Sequence, residues 1–139
     1  MSKKSAKIAA LIDQCQGRNL NAHYLGYFAC FNRGLFYEAH EVLEELWLAD
    51  RHGPNGSFYK GLIQLAGAFV HLQKNRLHPA AALFKRARTN LRGYPATHER
   101  LAVDAVVAMA EQWLHELESA DFTTNPLLAV TAPELRLIQ

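Results

Sequence analysis

The stretch Ser57-Phe58-Tyr59-Lys60-Gly61-Leu62-Ile63-Gln64-Leu65-Ala66-Gly67-Ala68-Phe69-Val70-His71-Leu72-Gln73-Lys74-Asn75 decides the fold. Leu62, Ile63, Leu65, Ala66, Phe69, Val70 and Leu72 recur at helical spacing and cover more than one face of the helix they define. An edge helix keeps a polar face for water, so a helix apolar around most of its circumference lies in the middle of a bundle. Its polar residues fall on one narrow line: Lys60, Gln64, Gly67, His71 and Asn75.

Apolar residues recur with the same period on both sides of this segment, and no strand pattern stands out. Upstream, the periodicity predicts helices over Lys4–Gln16, Asn21–Arg33 and Phe36–Arg51. Gly17 and Gly34 supply the breaks, and His52-Gly53-Pro54-Asn55-Gly56 is the clearest loop. Downstream, Pro79 starts a helix that ends at Leu91, and Thr97 caps another over His98–Ser119. The expected fold is all-α, a single-domain multihelical bundle of about five to six helices spanning residues 1–121. Residues 122–139 are too apolar for a free linker and are expected to pack on the bundle or on a neighbouring subunit.

At 139 residues the chain can bury a core without a disulfide or metal. Its 15 basic and 13 acidic residues leave a net charge of +2, which does not point to nucleic acid. Lys85, Arg86, Arg88 and Arg92 form a basic row, read as a solvated helix face; nucleic-acid binding is the lesser alternative. Cys15 and Cys30 sit among apolar residues without a CxxC spacing, as buried thiols of a reducing compartment do. No signal peptide or membrane span is visible, so the cytoplasm is the default expectation.

The chemistry-bearing segment is Phe31-Asn32-Arg33-Gly34-Leu35-Phe36-Tyr37-Glu38-Ala39-His40-Glu41-Val42-Leu43-Glu44-Glu45-Leu46-Trp47. At 3.6 residues per turn, Phe36 and Trp47 lie about 40° and 20° to one side of His40, and Glu44 about 40° to the other. His40 is thus expected inside the apolar face, with Glu44 on its flank. Glu38, Glu41 and Glu45 point elsewhere. His40-Glu41-x-x-Glu44 is a variant of the H-E-x-x-H zinc motif, in which residues at i and i+4 reach one ion. If the polar line of the central helix faces this segment, Gln64 and His71 meet His40 and Glu44 across the bundle. The bland alternatives are a hydrogen-bonded core histidine and a solvent edge on the central helix.

The residues Phe31-Asn32-x-Gly34-x-Phe36-Tyr37-Glu38-Ala39-His40-Glu41-x-Leu43-Glu44-x-x-Trp47, then Gly53-Pro54, Phe58-Tyr59-x-Gly61-Leu62-Ile63-Gln64-Leu65-Ala66 and His71 resemble the domain of unknown function 309 family. The resemblance implies a small all-α bundle and the label of predicted metal-dependent hydrolase, with no established reaction. Its motif positions carry over to His40, Glu44, Gln64 and His71. Lys60 departs from it, as a cation beside a metal site weakens binding or else greets an anionic substrate.

Two expectations follow. In the first, a hydrolase acts on a small-molecule substrate, with His40, Glu44 and His71 holding a divalent ion (zinc, manganese or iron). Glu44 and Gln64 serve catalysis, Gln64 by orienting water. Phe36, Tyr37, Trp47, Tyr59 and Lys60 wall the pocket. In the second, a non-enzymatic structural or interaction domain uses the His40–Glu44 network only to fix core packing. Either domain could self-associate.

Overall fold

The computed structural model describes residues 9, 10, 13, 20–129 and 131–138. Ala9, Ala10 and Asp13 are helical; the remainder of the expected Lys4–Gln16 helix, with Cys15 and Gly17, lies outside the described residues. Helix α1 is Ala22–Phe31. The Asn21 side chain caps it by accepting from the His23 backbone N–H at 2.8 Å. Gly34, at φ 74°, makes the left-handed turn into α2, Phe36–Asp50.

The central helix α3 is Gly56–Gln73, and α4 is Leu77–Leu91. Asn75, at φ 56°, ends α3 in the left-handed conformation, and the Arg76 N–H reaches back to the His71 carbonyl at 2.8 Å. Helix α4 starts two residues before Pro79, which still lies in the first turn, where its missing N–H costs nothing.

The expected His98–Ser119 helix is shorter than its periodicity suggested. Thr97–His98 (β1) and Leu101–Ala102 (β2) pair as an antiparallel hairpin, and α5 runs Val103–Ser119. Thr97 is therefore a strand residue, not a helix cap. The two-residue turn Glu99–Arg100 has φ of 50° and 60°, the mirror-image geometry that suits hairpins. It contains neither glycine nor asparagine, so the sequence carries no turn signal there. The turn is held from outside: the Tyr24 hydroxyl donates to the Glu99 carbonyl at 2.9 Å, and the Ile138 N–H donates to the Arg100 carbonyl at 2.7 Å.

The last elements are a short helix α6, Pro126–Ala129, and an extended segment. Asn125 is buried and caps the end of α3, donating to the Leu72 carbonyl at 2.6 Å. The extended segment lies on α1. The Asn32 side-chain amide donates to the Leu135 carbonyl at 2.8 Å and accepts from the Leu135 N–H at 2.7 Å, and Leu135 is buried.

Core packing converges on Phe69 of α3. Its ring meets Phe31 of α1 at 5.6 Å, Phe36 of α2 at 4.9 Å, Phe84 of α4 at 5.3 Å and Trp113 of α5 at 5.0 Å. All but the Phe36 contact are edge-to-face, the arrangement that ring quadrupoles favour. Tyr27 of α1 is fully buried and donates to the Leu62 carbonyl at 2.6 Å. Among the described residues, no helix is long and apolar enough to cross a membrane.

Helices α3 and α4 touch most closely at Gly61, where an added Cβ would lie 2.8 Å from Leu91 Cγ and 3.2 Å from Asn90 Cβ. Leu91 is completely buried and cannot swing away. At Gly67 the nearest atom is Leu83 Cδ1 at 3.1 Å, the tip of a partly exposed side chain. Gly61→Ala should therefore destabilise the fold by about 1–2 kcal/mol, overpacking outweighing the better helix propensity of alanine. Gly67→Ala should be neutral or slightly stabilising. Urea unfolding midpoints of the two variants check this contrast.

Candidate functional site

The family motif runs through α2, whose faces separate cleanly. Phe36, Ala39, Val42 and Leu43 are buried and point into the core. Their mean direction lies roughly 90° from His40, which places the histidine at the rim of the apolar face rather than inside it. His40 Nε2 is 3.4 Å from Glu44 Oε2, so the helical spacing brings this pair together as expected. The two side chains are 30% and 41% exposed, so the pair is not a buried network that fixes core packing. An ion pair this wet contributes little to stability.

The polar line of α3 is its outer edge, lying between α2 on one side and α4 on the other. Lys60 leans toward α2, its ammonium 4.3 Å from the Trp47 ring centroid, a cation–π contact. Gln64 turns the opposite way and accepts from Asn90 Nδ2 of α4 at 2.7 Å. Gly67 is covered by Leu83 of α4. His71 sits in the last turn of α3, and its Nδ1 is buried with no hydrogen-bond partner.

This arrangement corrects the expected four-residue pocket. Gln64 Oε1 is taken by Asn90 of α4 rather than by His40 or Glu44. Among the described residues, no group of three or more His, Cys, Asp or Glu side chains is placed to hold a metal ion. The donor set His40, Glu44 and His71 is therefore not gathered around one point, and these residues do not fit a divalent centre. Of the expected walls, Trp47 and Lys60 meet each other in the cation–π contact, and Tyr37 faces outward, 54% exposed. Phe36 belongs to the core. Tyr59 is buried against Tyr24 and Phe58.

A second polar knot joins the α2–α3 loop to the hairpin. The Tyr94 hydroxyl donates to the Pro54 carbonyl at 2.7 Å and accepts from the Phe58 N–H at 3.0 Å. His98 Nε2 is 2.6 Å from Asn55 Oδ1, and the His98 ring stands edge-on to Phe58. His98 is thus partly buried and bonded. Asn55 and His98 are 43 residues apart, and no local spacing could have paired them.

Three of the four residues of the basic row, Lys85, Arg88 and Arg92, are paired within the bundle. Lys85 lies 3.4 Å from Glu118, and Arg88 and Arg92 lie 4.0 and 3.7 Å from Glu111, all across the α4–α5 boundary. Among the described residues, Glu38 and Glu41 of α2 meet no lysine or arginine. The Glu41 carboxylate one turn away, as a hydrogen-bond acceptor first and a charge second, pushes the Tyr37 phenol above its ordinary range.

The fold defines a small helical-bundle domain. A family model described as domain of unknown function (DUF309) matches residues 24–83, which covers α1, α2, α3 and the start of α4. This segment belongs to that family, as the resemblance implied. No curated protein and no solved structure matches the chain.

His71 carries a pH dependence. Burial, then the nearby Arg76 and Lys74 cations, hold its imidazole below the ordinary value of 6.5. The fold therefore favours the neutral ring. That stabilisation is complete above pH 6.5 and is lost as pH falls through 6.5 toward the lower folded value. The melting temperature of His71→Asn should fall less on acidification across this window than that of the parent protein. The absence of a gathered donor set yields a second expectation. Chelator treatment should leave the melting temperature unchanged, and calorimetric titration with Zn²⁺, Mn²⁺ or Fe²⁺ should show no stoichiometric binding.

Proposed function

We propose that this chain is a non-enzymatic interaction domain that presents the outer face of α2 to a protein partner. The carrying observation is the exposure of Tyr37 and Leu48, 54% and 55%, on one helix face. They lie about 20° apart around the axis and about 16 Å apart along it. Glu41 and Glu44 stand between them, about 40° and 20° from Tyr37 on either side.

Neither core packing nor ion pairing accounts for this face. Tyr37, His40, Glu41 and Glu44 carry the family motif, yet none of them is buried. Among the described residues, Glu38 and Glu41 meet no lysine or arginine, and Glu44 meets only His40. The complementary partner is an amphipathic surface, most simply a helix, with two apolar anchors at that spacing and basic side chains between them. The hydrolase reading needs His40, Glu44 and His71 to converge on an ion, and their placement does not support it.

A photo-reactive amino acid at position 48 tests the proposal. In cells it should give a discrete protein adduct that disappears when Glu41 and Glu44 are replaced by lysine. The same label at His115, on the outer face of α5, should not give it. A second copy of the chain as the adduct would make the face a homodimer interface. An identical adduct pattern at positions 48 and 115 would sink the reading.

A further inference from the structure

A cleft of about 510 Å³ lies between the second half of α5 and the segment leading into α6, away from the family motif. Gln112, Trp113, Glu116, Ser119, Thr124 and Pro126 line it. The volume falls in the range of small-molecule sites, roughly 300–1,000 Å³. Its wall is mainly apolar. Trp113 is 7% exposed and fixed from behind by the Phe69 ring at 5.0 Å, so its indole cannot collapse into the space.

Glu116 is the one ionisable residue among the described lining residues. The other α5 glutamates nearby, Glu111 and Glu118, are matched by Arg88, Arg92 and Lys85 of α4. Among the described residues, Glu116 meets no cation. Gln112 Nε2 donates to its Oε1 at 2.9 Å, which steadies the carboxylate without neutralising it, and Oε2 has no partner among the described residues. A rigid indole beside an unneutralised carboxylate is the pairing that recognises an organic ammonium group, through the ring face and a charge-assisted hydrogen bond.

We propose that this cleft binds a small amine, a protonated primary ammonium carried on an apolar body, with the body against Trp113 and the ammonium at Glu116. Ser119 and Thr124 place hydroxyls at the rim for further polar contact. The site is independent of the α2 face and stands or falls separately from it.

The chain has two tryptophans, so the Trp47→Phe variant leaves Trp113 as its sole indole reporter. Phenethylamine should change the Trp113 emission of this variant saturably. 3-Phenylpropionate, of matching size and opposite charge, should not. Adding Glu116→Gln should weaken phenethylamine binding by roughly fivefold or more, the scale for losing a partly exposed charge contact. Because residue 116 is exposed, the variant should fold normally, and its far-ultraviolet dichroism checks this. An equal response to the carboxylate, unchanged affinity in Glu116→Gln, or no saturable response up to the solubility of the amine would each overturn the proposal.

Discussion

Phe69 is the point on which the bundle depends. One ring contacts an aromatic side chain from each of the other long helices. Neighbouring helices also pack directly, α1 on α2 and α4 on α5, and Phe69 of α3 is the residue that joins the two pairs. Removing so large a buried ring costs about 3–5 kcal/mol, against the 5–15 kcal/mol total that domains usually have. Burial of α3 on most of its circumference follows from this role, and so does the narrowness of its polar edge.

That narrow edge shapes what the motif can do. With α2 and α4 flanking it, each polar side chain of α3 has a neighbour on one side or the other. Lys60 goes to Trp47 and Gln64 to Asn90, so the line is divided between two walls rather than pooled. The His40–Glu44 pair is left on the shoulder of α2, partly exposed to solvent. Charge follows the same partition: α4 and α5 pair across their boundary, whereas among the described residues Glu44 of α2 is paired with a histidine.

Much of the architecture was readable from residue spacing, because α3 announces itself as central and Gly34 marks the turn that the structure makes there. The hairpin was not readable. Its turn residues, Glu99 and Arg100, adopt positive φ only because Tyr24 and the backbone at Ile138 hold them from distant parts of the chain. For the site, angular reasoning paired His40 with Glu44 correctly, since both lie on one helix. It failed between helices. Whether Gln64 faces α2 or α4 is set by crossing geometry, and the Asn90 amide that claims it lies 26 residues away. The depth of His40 was overestimated for a related reason: an apolar arc has a rim, and the sequence does not mark where it begins.

The contact between Asn32 and Leu135 bears on how the chain reaches this state. A side-chain amide offers one donor and one acceptor in nearly the same geometry as a peptide group, so Asn32 serves the tail as a one-residue β-strand. The two partners are 103 residues apart, the most distant hydrogen-bonded pair of side chain and backbone described. Loops this long close late, after the local helix pairs have formed. The tail thus closes the longest loop among the described side-chain bonds, and one asparagine side chain carries both hydrogen bonds of that closure.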